Sequence, residues 1–196
     1  MPCHYSYSGS VGASNKDRAV RAAIELLGTQ GVRALTHGRV DERAGLPRGS
    51  TSNYFRTRAA LFDGVVEAMV TGELPAVAAA FAASGVDEFV DGLVRLFEFL
   101  TGPQKMVTAA RLALYVEAGH DKSLSTALAH GRARLEQQIT PAFIALGAPD
   151  PDLATQLLAT VFEGMFLHVI ASHAPINTRA LIATTVQAAL TNPVND

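Results

Sequence analysis

A single cysteine, Cys3, in 196 residues excludes a disulfide framework or a thiolate metal cluster within one chain, since each needs at least two sulfurs. That scarcity fits a reducing, cytoplasmic setting. Also missing is an uninterrupted apolar run of the roughly twenty residues that a membrane span requires. The longest one, near residues 161–171, is broken by Glu163 and His168, so a soluble protein without a membrane partner is expected. The opening stretch MPCHYSYSGSVGASN has neither the apolar centre of a signal peptide nor the basic amphipathic pattern of a transit peptide. Residues 1–14 therefore read as a flexible leader. Internal repeats and low-complexity segments are absent, and few stretches alternate with the period of a strand, which makes the expected fold all-α.

Reactive constellations are equally scarce. The best is Glu117-Ala-Gly-His120, a Glu-x-x-His of the kind found in di-iron helical bundles. Such sites need a second pair and two more carboxylates. No second pair exists in the sequence, and Gly119 places His120 at a helix end. His130, His168 and His173 read as surface or satisfied core residues. No metal, cofactor or enzymatic activity is expected, with a helical-bundle metalloenzyme as the remote alternative.

What the chain does have is localised positive charge. Its net charge is -2, yet residues 33–58 hold six arginines (Arg33, Arg39, Arg43, Arg48, Arg56, Arg58) against two acids, Asp41 and Glu42. Up to Arg58 there are nine basic and four acidic residues, a balance of +5, and the remainder has seven and fourteen, or -7. The first part is suited to a polyanion such as a phosphate backbone. The length allows a small DNA-binding module plus a larger helical body, with boundaries at 15–60 and 61–196.

Local signals divide the first part into three helices. Asn15 or Asp17 starts one, with Val20, Ala23, Ile24 and Leu27 at helical spacing, and Gly31 ends it. Thr36 caps a second helix that stops at Gly45. Leu46 and Pro47 form the turn, Pro47 also suits the first position of the next helix, and a third helix covers residues 48–54. A tight turn between the last two helices is the architecture of a helix-turn-helix. Beyond it, longer helices are expected at 58–83, 87–101, 103–118, 122–146, 151–171 and 178–190, with a kink or break at Pro75 next to Gly72.

Over residues 17–62, the segments AIELLGTQG, THGRVDERAGLPRGSTSNYF and RTRAALF resemble the TetR family of bacterial transcriptional regulators. The resemblance implies a homodimer with two N-terminal DNA-binding heads, a helical effector-binding and dimerisation body, and an interface made by the last two long helices. Three positions depart from the family pattern. Asp41 stands where a small Ala is common, Ser52 where Tyr is frequent, and Arg58 where Lys is frequent. An arginine such as Arg39 or Arg43 would be the natural partner for Asp41.

Double-stranded operator DNA is thus the expected partner, and Thr36, Arg39, Arg48, Gly49, Ser50, Thr51, Ser52, Asn53, Tyr54 and Arg58 are the expected DNA-binding residues. Thr36 presents a capped helix N-terminus, and Gly49 permits close approach. Ser50, Thr51 and Asn53 lie on a short helix with little apolar content, so their polar groups should point outward, where Asn can bond the adenine edge. Of the adjacent aromatics, Phe55 is assigned to the core and Tyr54 to a phosphate. Arg48, Arg56 and Arg58 are the candidates for phosphate or guanine.

The second part is rich in Phe, Leu, Val and Ala with interspersed polar groups, as a bundle around an apolar pocket requires. The ligand-binding candidates are Phe97, Met106, Arg111, Leu114, Tyr115, Phe143, Phe162 and Phe166, with Phe81 and Leu93 beside them. Arg111 and Tyr115 share a helix face and could hold the polar end of a small-molecule effector. Two apolar stripes on 153–170 suit a helix that packs its own body on one side and a partner subunit on the other. Leu157, Val161, Met165 and Val169, with Leu181, Val186 and Leu190, are the expected dimer interface, where Gly164 permits a close crossing. A DNA-binding dimer without an effector, or one answering to a protein partner, is the alternative.

Overall fold

The computed structural model describes residues 14–82, 85–171 and 175–191. Cys3, His173 and all of the leader but Ser14 lie outside them. Among the described residues there are nine α-helices, one 3-10 turn and no strand, as an all-α chain requires. The helices are α1 (Asn15–Gln30), α2 (His37–Ala44), α3 (Ser50–Tyr54), α4 (Arg58–Ala80), α5 (Val86–Thr101), α6 (Lys105–Ala118), α7 (Lys122–Ala145), α8 (Pro151–Ile170) and α9 (Thr178–Thr191). The 3-10 turn, Val32–Ala34, separates α1 from α2.

Local chemistry sets most of the ends. Ser14 and Asp17 form a capping box, the Ser14 hydroxyl accepting from the Asp17 N–H and the Asp17 carboxylate accepting from the Ser14 N–H, both at 3.1 Å. Thr36 accepts from the Arg39 N–H at 3.4 Å. Gly45, with φ 61°, closes α2 in the left-handed conformation that glycine reaches without a Cβ penalty. Two expectations are corrected. First, α3 starts at Ser50 with Gly49 as its N-cap, so Pro47 sits in the turn rather than at the first helical position. Second, of the kink or break expected at Pro75 the break is absent, α4 running through it as one helix as α7 does through Pro141. A proline removes one donor, and the rest of each ladder persists.

The chain divides into two compact units, residues 1–72 with 103–131, and residues 73–102 with 132–196. In the first, α1 packs against α2, α3 and α6 through Ala19, Ala23, Ile24 and Leu27, which are buried at helical spacing. The crossing of α1 and α6 is close because Gly28 has no side chain. A Cβ there would lie 2.5 Å from the Met106 carbonyl oxygen, so any larger residue would force two backbones apart.

In the second unit α5, α8 and α9 pack on one another. Phe97 stacks on Phe166 at 5.3 Å between ring centroids and meets Phe162 edge-on at 5.7 Å. Phe89 joins Phe81 and Phe143 in the same edge-on manner, at 5.2 and 5.5 Å. Arg132 on α7 donates to Glu136 at 2.9 Å and to Glu163 of α8 at 2.8 Å, while Arg179 of α9 pairs with Asp91 of α5.

Two of the expected interface residues belong to this interior. Val186 is 0% exposed and Met165 only 4%, so both fill the core of the protomer and neither is available to a partner. Of the α8 stripe expected to face a partner, Leu157, Val161 and Val169 are half-buried and only Met165 is fully inside. Flanking that stripe, Leu153 and Leu167 are exposed on α8, as Leu181 is on α9. By length and composition α8 is also the one helix among the described residues able to cross a bilayer. Its charged Glu163, tied to Arg132, and its packing on α5 and α9 account for the buried part of it within a folded unit.

Candidate nucleic-acid interface

Two short helices carry the site, and α2 holds α3 at both ends. At the start, Gly49 has φ 90°, a backbone conformation open to glycine and strained for other residues. Empty space surrounds its Cβ direction. Within the protein the torsion, rather than close packing against a neighbour, is what requires glycine. Having no side chain, Gly49 cannot cap the helix it begins, and no side-chain cap comes from that position.

Asp41 supplies the cap from α2. Its carboxylate accepts hydrogen bonds from the Gly49 N–H at 2.7 Å, the Thr51 N–H at 2.7 Å and the Thr51 hydroxyl at 2.5 Å. Asp41 is 3% exposed and Thr51 0%. Burial pushes the Asp41 carboxyl up, but the Thr51 and Gly49 hydrogen bonds, with the nearby His37, outweigh it and hold the group below its ordinary value.

This geometry corrects two expectations. Among the described residues no arginine neutralises Asp41: Arg39 donates to Gln30, and Arg43 lies 3.6 Å from Glu25. Thr51 does not point outward, because its hydroxyl is the inner half of this pair.

At the other end, the His37 ring Nε2 lies 2.7 Å from the Phe55 carbonyl oxygen. A carbonyl can only accept, so that nitrogen carries the proton. Phe55 is buried, as assigned, with the Lys16 ammonium 5.8 Å from its ring centroid. From α1, Arg18 donates to the Ala44 and Gly45 carbonyls at 2.8 and 3.1 Å, satisfying the orphan end of α2. Neither His37 nor Arg18 was identified from the sequence. Partners 18 and 26 residues away leave no local pattern.

The polar groups near α3 thus fall into two classes. Committed within the protein are Asp41, Thr51, Arg39, and Ser50, whose hydroxyl donates to the Pro47 carbonyl at 2.6 Å. Arg58 belongs with them: its guanidinium reaches the Val32 carbonyl at 3.4 Å and Glu117 at 4.0 Å, and lies 5.2 Å from the Phe62 ring centroid. Uncommitted among the described residues are the side chains of Arg48, Ser52, Asn53, Tyr54 and Arg56, all exposed. They are a cation pair, two small hydrogen-bonding groups and a phenol on or beside one short helix, the chemistry that reads base edges and neutralises phosphates.

The expected ligand residues are distributed over both units. Phe97, Phe162 and Phe166 come together, and Phe143 joins Phe89 and Phe81. Met106, Arg111, Leu114 and Tyr115 lie on α6 in the first unit, with Leu114 fully buried and Arg111 and Tyr115 half-buried. Among the described residues no three His, Cys, Asp or Glu side chains are grouped to hold a metal ion.

Comparison with known proteins agrees with the geometry. Residues 19–65 match the family described as "Bacterial regulatory proteins, tetR family", and residues 84–192 match the "Tetracyclin repressor-like, C-terminal domain". The chain is 28% identical over 169 residues to the HTH-type transcriptional regulator BetI of Rhizobium meliloti (strain 1021), covering 85% of this chain and 83% of that one. Its fold is similar to that of a transcriptional regulator from Rhodococcus sp. Rha1, with a TM-score of 0.79 at 17% identity over 90% of this chain and 96% of that one. It is also similar to the multidrug binding protein EbrR complexed with ethidium, with a TM-score of 0.74 at 20% identity over 91% and 100%. A helix-turn-helix with a polar reading surface, followed by a C-terminal domain of the matching type, makes this chain a member of the TetR family, a DNA-binding transcriptional regulator.

Proposed function

We propose that this regulator is a ligand-responsive cytoplasmic repressor, bound to a palindromic operator as a homodimer and released by a small apolar or amphipathic effector. The observation that carries the DNA-binding part is the set of exposed side chains at Arg48, Ser52, Asn53, Tyr54 and Arg56, uncommitted among the described residues, on or beside a helix held at both ends. Asn53 and Ser52 would read base edges, and Tyr54 with the two arginines would hold the backbone.

The homodimer is supported by apolar surface on the last two helices. Leu153, Leu167 and Leu181 are exposed, Leu157, Val161 and Val169 are half-buried, and Gly164 leaves open space beside them. A patch of this kind on two adjacent helices suits an isologous four-helix contact. Two recognition helices must then lie about 34–36 Å apart to meet half-sites one DNA turn apart. An effector that favours another spacing lowers operator affinity by its differential affinity for the two states. The grouped phenylalanines of the second unit, and the ethidium bound by the structurally similar EbrR, support an apolar or amphipathic ligand.

Tyr54→Phe tests the reading surface. The hydroxyl is exposed and has no partner among the described residues, so its removal should leave the fold intact and weaken DNA binding in a gel-shift titration. Unchanged affinity would remove Tyr54 from the interface.

A further inference from the structure

We propose that Asp41 is the positioning residue of DNA recognition: its carboxylate fixes the first turn of α3 in the reading conformation before DNA arrives, and leaves recognition to the side chains farther along the helix. The inference rests on the DNA-binding reading and adds which group makes it possible. Gly49 is needed for its positive φ and cannot cap α3. A five-residue helix with no cap would fray. Asp41, on a helix anchored by Arg18 and by the buried Val40, replaces the missing cap with three hydrogen bonds.

The same bonds have a consequence for recognition. The Gly49 and Thr51 N–H groups are committed to Asp41, and the Ser50 N–H and hydroxyl to the Pro47 carbonyl. The Gly49, Ser50 and Thr51 N–H groups are therefore not free for a phosphate, and a buried negative charge stands behind them. The side chains of Ser52, Asn53 and Tyr54, the next three residues and exposed, carry the contacts instead. Asp41 touches no DNA.

The test uses the full chain and the DNA that wild-type protein enriches from a random pool. Asp41→Ala should bind that DNA about tenfold more weakly or worse. It should also speed amide hydrogen exchange at Gly49 and Thr51, while Leu26 and Leu27 of the α1 core remain protected. The Asp41→Ala/Thr51→Val double variant separates positioning from stability: it removes the orphaned hydroxyl and should recover thermal stability, but not affinity or slow exchange. Wild-type affinity in the single variant, or affinity returning in step with stability in the double, would overturn the proposal. The exchange measurement needs no DNA. Failure of the wild type to bind any DNA would count against the DNA-binding reading, whereas unchanged exchange at Gly49 and Thr51 would count against Asp41.

Discussion

Asp41 is the residue through which most of the head's chemistry passes. A carboxylate buried to this degree survives as an anion because three donors replace the water it has lost. Leaving the donors orphaned costs roughly 1–3 kcal/mol each, whereas exchanging both partners for apolar groups can be close to neutral. The pH dependence follows with a definite sign. The folded carboxyl is held below its unfolded value of about 3.9, so its contribution to stability is complete above that value and is lost as pH falls through the folded one. Between about pH 5 and the acid limit, wild type should lose more unfolding free energy than Asp41→Asn, as chemical denaturation at each pH would report; parallel curves would contradict the assignment. The existence of such a pair was not legible in the sequence. Asp41 is easily seen to be unusual, but its partners are backbone N–H groups eight and ten residues away, brought near by the turn.

At the scale of elements, what could be read was what is local. Thr36 as a cap, Gly31 and Gly45 as stops, and the turn before α3 are decided by one or two residues each, and the structure places them as expected. Which faces of α8 and α9 point inward is decided by their packing on each other and on α5, so Met165 and Val186, expected at a partner, fill the protomer core. The outward stripe now makes a sharper prediction. Leu167 is 57% exposed, so Leu167→Arg should leave the protomer folded and shift sedimentation from dimer to monomer by placing a charge within an apolar contact. Dimers that persist would exclude the α8 face. Val186→Arg would be uninformative about assembly, because burying an unpaired charge would damage the fold first.

For the whole molecule, the governing feature is a basic head on a chain of net charge -2. Affinity for DNA should fall steeply with salt, since each neutralised phosphate releases counterions, while sequence preference should depend on the few uncommitted side chains of α3. Two heads in a symmetric dimer would read the same half-site in opposite directions. Selection of bound fragments from a random DNA pool, with the full-length protein at moderate salt, tests this most directly. An enriched inverted repeat whose half-sites lie about one helical turn apart is expected; a pool that returns no enriched sequence, or an enriched site without two-fold symmetry, would contradict a symmetric DNA-binding dimer.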